Sequence, residues 1–143
     1  MVAIRKALSN GLYSSARARK LSAEYIDKLK IKTPSGDQIV GNLSGGNQQK
    51  VVISKWLLND PDIIIMDEPT RGIDVGAKRD IYLLIGDLVQ QGKAVILISS
   101  EIPELMGVCD RIAVMAEGHF AGEISREQFS QETIMRLASD IAV

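Results

Sequence analysis

The apolar positions along this chain change period several times, and each change predicts an element. From about Ala16 to Leu29 the residues Leu21, Tyr25, Ile26 and Leu29 recur on one face of a 3.6-residue period, with Lys and Glu elsewhere, predicting an amphipathic helix. Ile31 to Asp37 reads as a turn, because Pro34 biases Thr33 to extended backbone and Gly36 admits positive φ. A second helix is predicted from Ser44, its N-cap, to about Asn59, where Asp60-Pro61 stops it. Its apolar stripe is read as Val52, Trp56 and Asn59, with Lys50 and Lys55 off that stripe.

Asp62 to Met66 is different: a continuous β-rich run with no alternation, the pattern of a strand covered on both faces in a parallel sheet. Asp74 is placed to cap a long helix over Val75–Gln91, with Ile81, Leu84, Ile85 and Leu88 apolar at helical spacing and Gly92 just past its end. Ala94–Ile98 repeats the buried-strand pattern. Ser100 is the expected cap of a short helix that tolerates Pro103 in its first turn. Arg111–Ala116 and His119–Ile124 read as strands joined by a Glu117-Gly118 hairpin turn. Ser125 and Gln128 have capping-box spacing, and about Ser130 to Leu137 is helical. Met1 to Ser15 has no clear period, and Gly11 interrupts it. Strands alternating with helices predict an α/β fold with a largely parallel sheet.

Composition narrows the function without naming it. The 143 residues are 45% hydrophobic and 24% charged with net charge −1, which suits one globular domain and gives no bulk attraction to nucleic acid or anionic membrane. Arg17, Arg19 and Lys20 form one basic cluster, read as a solvated helix face. Cys109 and His119 are each the only residue of their kind, so an internal disulfide is ruled out and a reducing compartment fits best. Cys109 is expected to behave as a small buried hydrophobe, and His119 to be exposed or structural. No apolar run approaches the ~20 residues that span a bilayer. No secretory signal is apparent at the start, so a cytoplasmic location is the default expectation.

Two stretches carry chemistry. Gly45 and Gly46 follow an N-cap, where first-turn N–H groups and the positive end of the helix dipole make an anion site; taken alone, the pair reads more readily as a plain flexible cap. Asp67 and Glu68 end a buried strand, and open α/β sheets bind ligands beyond the carboxyl ends of their strands. Asp67 can hold a hard cation such as Mg²⁺, directly or through water, and Glu68 can orient a water toward a phosphate. Alone, the dipeptide is equally a pair of solvated carboxylates.

In this order and this close, LSGGNQQK followed by IIIMDEPTRGIDVGAK resembles the nucleotide-binding domain of ABC transporters. NQQ, TRGIDVGAK and ISSEIPEL narrow the resemblance to ribose-, galactose- and xylose-type sugar importers, and to the second nucleotide-binding half of their ATPase. The resemblance runs from about Arg17 onward. It implies a P-loop NTPase-like three-layer fold. Residues of about 16–59 would form a helical signature subdomain and about 60–143 the C-terminal part of the catalytic core.

It also implies roles. Ser44, Gly45 and Gly46 match the signature motif that grips ATP held by the opposite domain of a dimer. Gln48 closes that motif, with Asn47 as the extra residue of the sugar-importer form. Asp67 matches the Walker B aspartate and metal position, Glu68 the catalytic glutamate, and Asp74 the D-loop aspartate. The cofactors would be ATP and Mg²⁺ in a complete assembly. The partners would be a second nucleotide-binding domain, transmembrane permease subunits and, indirectly, a periplasmic or extracellular sugar-binding protein, with no nucleic acid. The location would be peripheral, on the inner face of the cell membrane.

Two departures qualify this. No G-x-x-x-x-G-K-[ST] run occurs, so the Walker A loop that cradles phosphates is missing and the sheet is expected to be incomplete, with unpaired edges and apolar surface. Ser100 stands at the switch position where the family usually has histidine, although serine there recurs in the sugar-importer subgroup. The resemblance therefore implies an ATPase fragment that is inactive alone but keeps the signature half of a composite site. Two other readings compete with it: a catalytically inert module that binds a partner, and a non-transport ABC ATPase. The latter is disfavoured because heptads, a basic stripe and a long linker are absent.

Overall fold

The computed structural model describes residues 4–9 and 12–139. Gly11 lies outside them. The described residues pack as two compact units, one of those up to residue 64 together with 69–95, the other of 65–68 together with those from 96 onward.

In the first unit a 3₁₀ turn, Ile4–Ala7, leads into two short antiparallel strands, β1 (Leu8–Ser9) and β2 (Leu12–Tyr13). Helix α1 (Ser15–Lys28) is capped by Ser14, whose hydroxyl accepts from the Arg17 N–H. It ends where Lys30 takes φ 50° and the Ile31 N–H reaches back to the Ile26 carbonyl, so the following Ile31 is driven into the core. Leu29 and Ile31 are buried while Leu21, Tyr25 and Ile26 are half-buried, which is the predicted face.

Helix α2 (Gly45–Leu57) begins and ends close to expectation, but it buries another face. Gly46, Lys50, Ile53, Ser54 and Leu57 point inward, whereas Val52 and Trp56 are half exposed, Trp56 at 53%. The expected stripe of Val52, Trp56 and Asn59 is therefore corrected. Its rival is seeded by Gly46, which has no side chain to register in an apolar count, and by Lys50, a charged residue only 5% exposed. Lys50 is tolerated there because its Nζ meets Asp80 Oδ2 at 2.7 Å and the Lys30 carbonyl at 3.3 Å.

That pair gives a pH prediction. The hydrogen bond from Lys50 holds the Asp80 carboxyl below its ordinary value of 3.8. A depressed carboxylate stabilises the fold fully above its unfolded pKa, and that contribution is lost as pH falls through the lower, folded value. Lys50→Met should therefore flatten the acid limb of stability below about pH 4. Urea midpoints at pH 3 and pH 6 check this: the difference between them should shrink in the variant.

Helix α3 (Val75–Gln90) buries Ile81, Ile85 and Leu88, with Leu84 half-buried, as the spacing predicts. Gly92, at φ 82°, follows its cap, and the Lys93 N–H closes back on the Leu88 carbonyl. Lys93 Nζ then bridges Asp60 Oδ1 and the Pro61 carbonyl at 2.7 and 2.9 Å, tying this turn to the one that ends α2.

β3 (Ile63–Asp67) and β4 (Ala94–Ile98) pair with each other. The Ala94 N–H donates to the Asp62 carbonyl at the early ends and the Glu68 N–H to the Ile98 carbonyl at the late ends, so the strands run parallel. Both-face burial is corrected here. Ile64 and Met66 are buried, but Ile63, Ile65, Ile96 and Ile98 are largely exposed, because no element among the described residues covers that face.

In the second unit, α4 (Ile102–Val108) precedes an antiparallel hairpin of β5 (Arg111–Ala116) and β6 (His119–Ser125). Glu117 and Gly118 both take positive φ, 50° and 80°, as the tight turn requires. Ser125 and Gln128 form the predicted capping box on a 3₁₀ turn, Arg126–Gln128. Helix α5 (Gln131–Ser139) then lays Ile134 against Ile112, Val114 and Ile124. Cys109 packs against this cluster, and burial pushes its thiol pKa up, the behaviour of a small hydrophobe. His119 is exposed at the start of β6.

Candidate functional site

The glycine pair sits in the first unit, at the start of α2. Ser44 occupies the N-cap position with extended backbone, yet its hydroxyl makes no bond to the helix N–H groups; it accepts from Asn47 Nδ2 at 2.8 Å instead. Asn47 in turn accepts the Lys32 N–H at 2.8 Å, and Gln48 Nε2 donates to the Leu43 and Gly41 carbonyls at 2.8 and 3.4 Å. Asn47 and Gln48 thus brace the loop leading to the helix from both sides. The first-turn backbone is left uncapped by Ser44, which is the electrostatic arrangement an anion favours.

The two glycines differ. Gly45 is exposed, and a Cβ there would meet Ile73 Cγ2 at 3.6 Å and the Gly72 carbonyl oxygen at 3.8 Å, both ordinary contacts. Gly46 is buried, and a Cβ there would collide with the Ala77 Cβ of α3. Its lack of a side chain lets α2 and α3 approach. Gly46→Ala should cost about 1–3 kcal/mol through overpacking, while Gly45→Ala should leave thermal stability within about 0.5 kcal/mol. Parallel melts of the two variants check this contrast.

Asp74 lies beside this start along the same unit. It caps α3 as predicted, Oδ1 accepting the Ala77 N–H at 2.9 Å. The Gly72–Asp74 stretch, with Gly72 at φ 74°, therefore adjoins Gly45 through Ile73.

Asp67 and Glu68 lie in the second unit, at the carboxyl end of β3. Asp67 is exposed. Glu68 has φ 45°, a left-handed conformation that costs a β-carbon residue on the order of 1–3 kcal/mol and persists where the surroundings enforce it. The enforcement is visible. The Glu68 N–H donates to the Ile98 carbonyl and its Oε1 accepts the Ser100 N–H, both at 2.9 Å.

Ser100 is not the cap of α4, contrary to expectation. Glu101 takes that position, and the Ser100 N–H is given to Glu68. The residues that sequence reasoning missed are Ser99 and Glu104. Ser99 Oγ donates to Glu104 Oε2 at 2.5 Å and accepts the Glu101 N–H at 3.0 Å. A glutamate amid Ile102, Leu105 and Met106 was the only signal, and it reads equally as a surface position.

Among the described residues no group of three or more His, Cys, Asp or Glu forms a metal cage. A single exposed carboxylate at a strand end still suits Mg²⁺, which keeps its waters and binds through one or two carboxylates plus substrate phosphates. Asp67 fits that requirement. A cavity of about 450 Å³ in the first unit, walled mainly by α1, α2 and the loop between them, has none of Gly45, Gly46 and Asp74 in its lining.

The sequence profile of the ABC transporter family matches residues 3–71. The chain is similar to ATP-binding proteins of that family over most of its length. Its relatives are ATP-binding proteins of sugar import. It is 56% identical over 117 residues to the ribose import ATP-binding protein RbsA of Clostridium perfringens (strain SM101 / Type A), covering 82% of this chain and 23% of the relative. It is 58% identical over 122 residues to the L-arabinose transport ATP-binding protein AraG of Geobacillus stearothermophilus, covering 85% of this chain and 24% of that protein. The chain thus spans about a quarter of the length of the curated relatives it matches. Among solved structures, it superposes on the ATP-binding cassette MJ0796 in a dimeric post-hydrolysis state bound to ADP and Pi, with TM-score 0.71 and 26% identity, covering 90% of this chain and 58% of that one. The cassette MJ1267 of an ABC transporter gives TM-score 0.70 at 27% identity, covering 89% and 48%.

Proposed function

We propose that these residues belong to an ATP-binding and hydrolysing subunit that energises import of a sugar across the cytoplasmic membrane. The observation that carries the reading is the hold on Glu68: a strained glutamate at a strand end, gripped by the Ile98 carbonyl and the Ser100 N–H. That is an arrangement with a cost and no evident packing return. One carboxylate oxygen is engaged by Ser100, and the other is the acceptor that orients a water toward a γ-phosphate. Asp67 would hold Mg²⁺, which supplies charge neutralisation at the phosphates when bound.

On this reading Ser44, Gly45 and Gly46 grip the γ-phosphate of ATP held by a second nucleotide-binding domain, with Gln48 fixing the approach to the helix. Asp74 would reach toward that partner from the D-loop. Residues 16–59 would act as the signature subdomain and 60–143 as the C-terminal part of the core. Ser100 fills the switch position through its backbone N–H, which does not depend on an imidazole. Permease subunits and, through them, a sugar-binding protein complete the assembly at the inner face of the membrane. No helix among the described residues is long and apolar enough to cross a membrane.

The absence of a GK[ST] run from the 143 residues divides the two halves of the reading. Phosphate affinity in P-loop folds needs the N–H cradle and its lysine, so this chain alone should retain nucleotide poorly. A surface acting on nucleotide held elsewhere does not need them. Filter capture of labelled ATP should therefore be negligible with the chain alone. It should rise when a hydrolysis-blocked cassette is added, beyond what that cassette retains by itself. Ser44→Arg should abolish the rise, and an unchanged rise would count against the proposal.

A further inference from the structure

We propose that Glu104 is a positioning residue for Glu68, acting through Ser99 to fix the turn that aims the Ser100 N–H at the Glu68 carboxylate. This rests on the reading of Glu68 as the water-orienting group. Every contact involved lies within the second unit. Glu104 is only 6% exposed, although it stands in the first turn of a seven-residue helix where a glutamate ordinarily faces water. Its Oε2 takes the single hydroxyl proton of Ser99 at 2.5 Å.

A serine hydroxyl has one proton and two lone pairs. With the proton committed to Glu104, a lone pair is turned to the Glu101 N–H, which it accepts at 3.0 Å. The peptide between Ser99 and Glu101 is thereby held at both ends. Its middle N–H, that of Ser100, is the one that meets Glu68 Oε1 at 2.9 Å. Without Glu104 the Ser99 hydroxyl is free to rotate, the Glu101 N–H loses a fixed acceptor, and the Ser100 N–H is no longer aimed. A buried carboxylate is held in place by the hydrogen bonds it makes, and the one to Ser99 fixes that hydroxyl in turn. That chain of hydrogen bonds ends on a glutamate whose own backbone is strained.

Residue-resolved hydrogen exchange of the whole 143-residue chain, read by mass spectrometry at micromolar concentration, tests this without nucleotide. Ser99→Ala and Glu104→Ala should each accelerate exchange of the Ser100 amide about tenfold, the loss of roughly one hydrogen bond. The amides of Ile112, Val114 and Ile124 in the hairpin should stay within about twofold. Glu104→Gln keeps an acceptor oxygen for Ser99 and should restore slow exchange at Ser100. Glu68→Ala, which removes the acceptor itself, should match the Ser99→Ala effect. A Ser100 amide unchanged in Ser99→Ala overturns the proposal, as does equal acceleration across the hairpin, which marks general loosening. Ser99→Ala deletes only a hydroxyl and decides the matter even if Glu104→Ala loses the hairpin. Failure here leaves the catalytic reading of Glu68 standing, since that is read separately by turnover.

Discussion

In an assembled transporter carrying this segment, Glu68→Gln should lower ATP turnover by about 10²–10⁴-fold, the range a positioned proton acceptor contributes. The substitution is nearly isosteric and keeps an oxygen for the Ser100 N–H, so the strained turn at Glu68 is retained. Nucleotide binding and thermal stability should therefore stay close to those of the parent, while chemistry is lost. That separation is the point of the experiment. A general structural role for Glu68 would move stability and turnover together, and would also show in Asp67→Asn, where the proposal expects weakened Mg²⁺ dependence instead.

The second large effect concerns the core of the first unit. Ile81 is fully buried, at 0% exposure, on the face of α3 that also carries Ile85 and Leu88. Ile81→Ala removes three methyl or methylene groups and leaves a cavity, which should cost about 2–5 kcal/mol. For a domain of this size that is a large share of total stability. Urea unfolding should show a lowered midpoint with an unchanged slope. The same substitution at Leu83, which is 58% exposed on the opposite side of the helix, should move the midpoint little.

Much of the architecture was legible because local signals agreed with one another. α3 is bracketed by Asp74 at one end and Gly92 at the other, and its four apolar residues keep one period, so both its bounds and its buried face followed from sequence. The Glu117-Gly118 turn and the Ser125–Gln128 box are equally local. α2 was legible in extent but not in orientation. It carries apolar residues on two faces, and the choice between them rests on Gly46 meeting Ala77 and on Lys50 meeting Asp80 thirty residues away. No window on the helix itself contains that information.

The strands misled for a related reason. Ile63–Met66 reads as buried on both faces because it is apolar at every position, but apolarity reports what a residue tolerates rather than what covers it. At the candidate site, the residue types were legible and the hydrogen bonds were not. Ser44 and Ser100 were both read as caps, and both do something else with their polar atoms. Ser44 accepts from Asn47, and Ser100 gives its N–H to Glu68 across thirty-two residues of sequence. Glu104 was invisible, because a buried acid and a surface acid are spelled alike.

The central claim is that these residues hold one half of a nucleotide site and depend on another polypeptide segment for the phosphate cradle. Steady-state ATP turnover by the purified 143-residue chain, with Mg²⁺ present and Glu68→Gln alongside, tests it most directly. The account predicts phosphate release at background, the same for both proteins. Turnover above background that disappears in Glu68→Gln would contradict it.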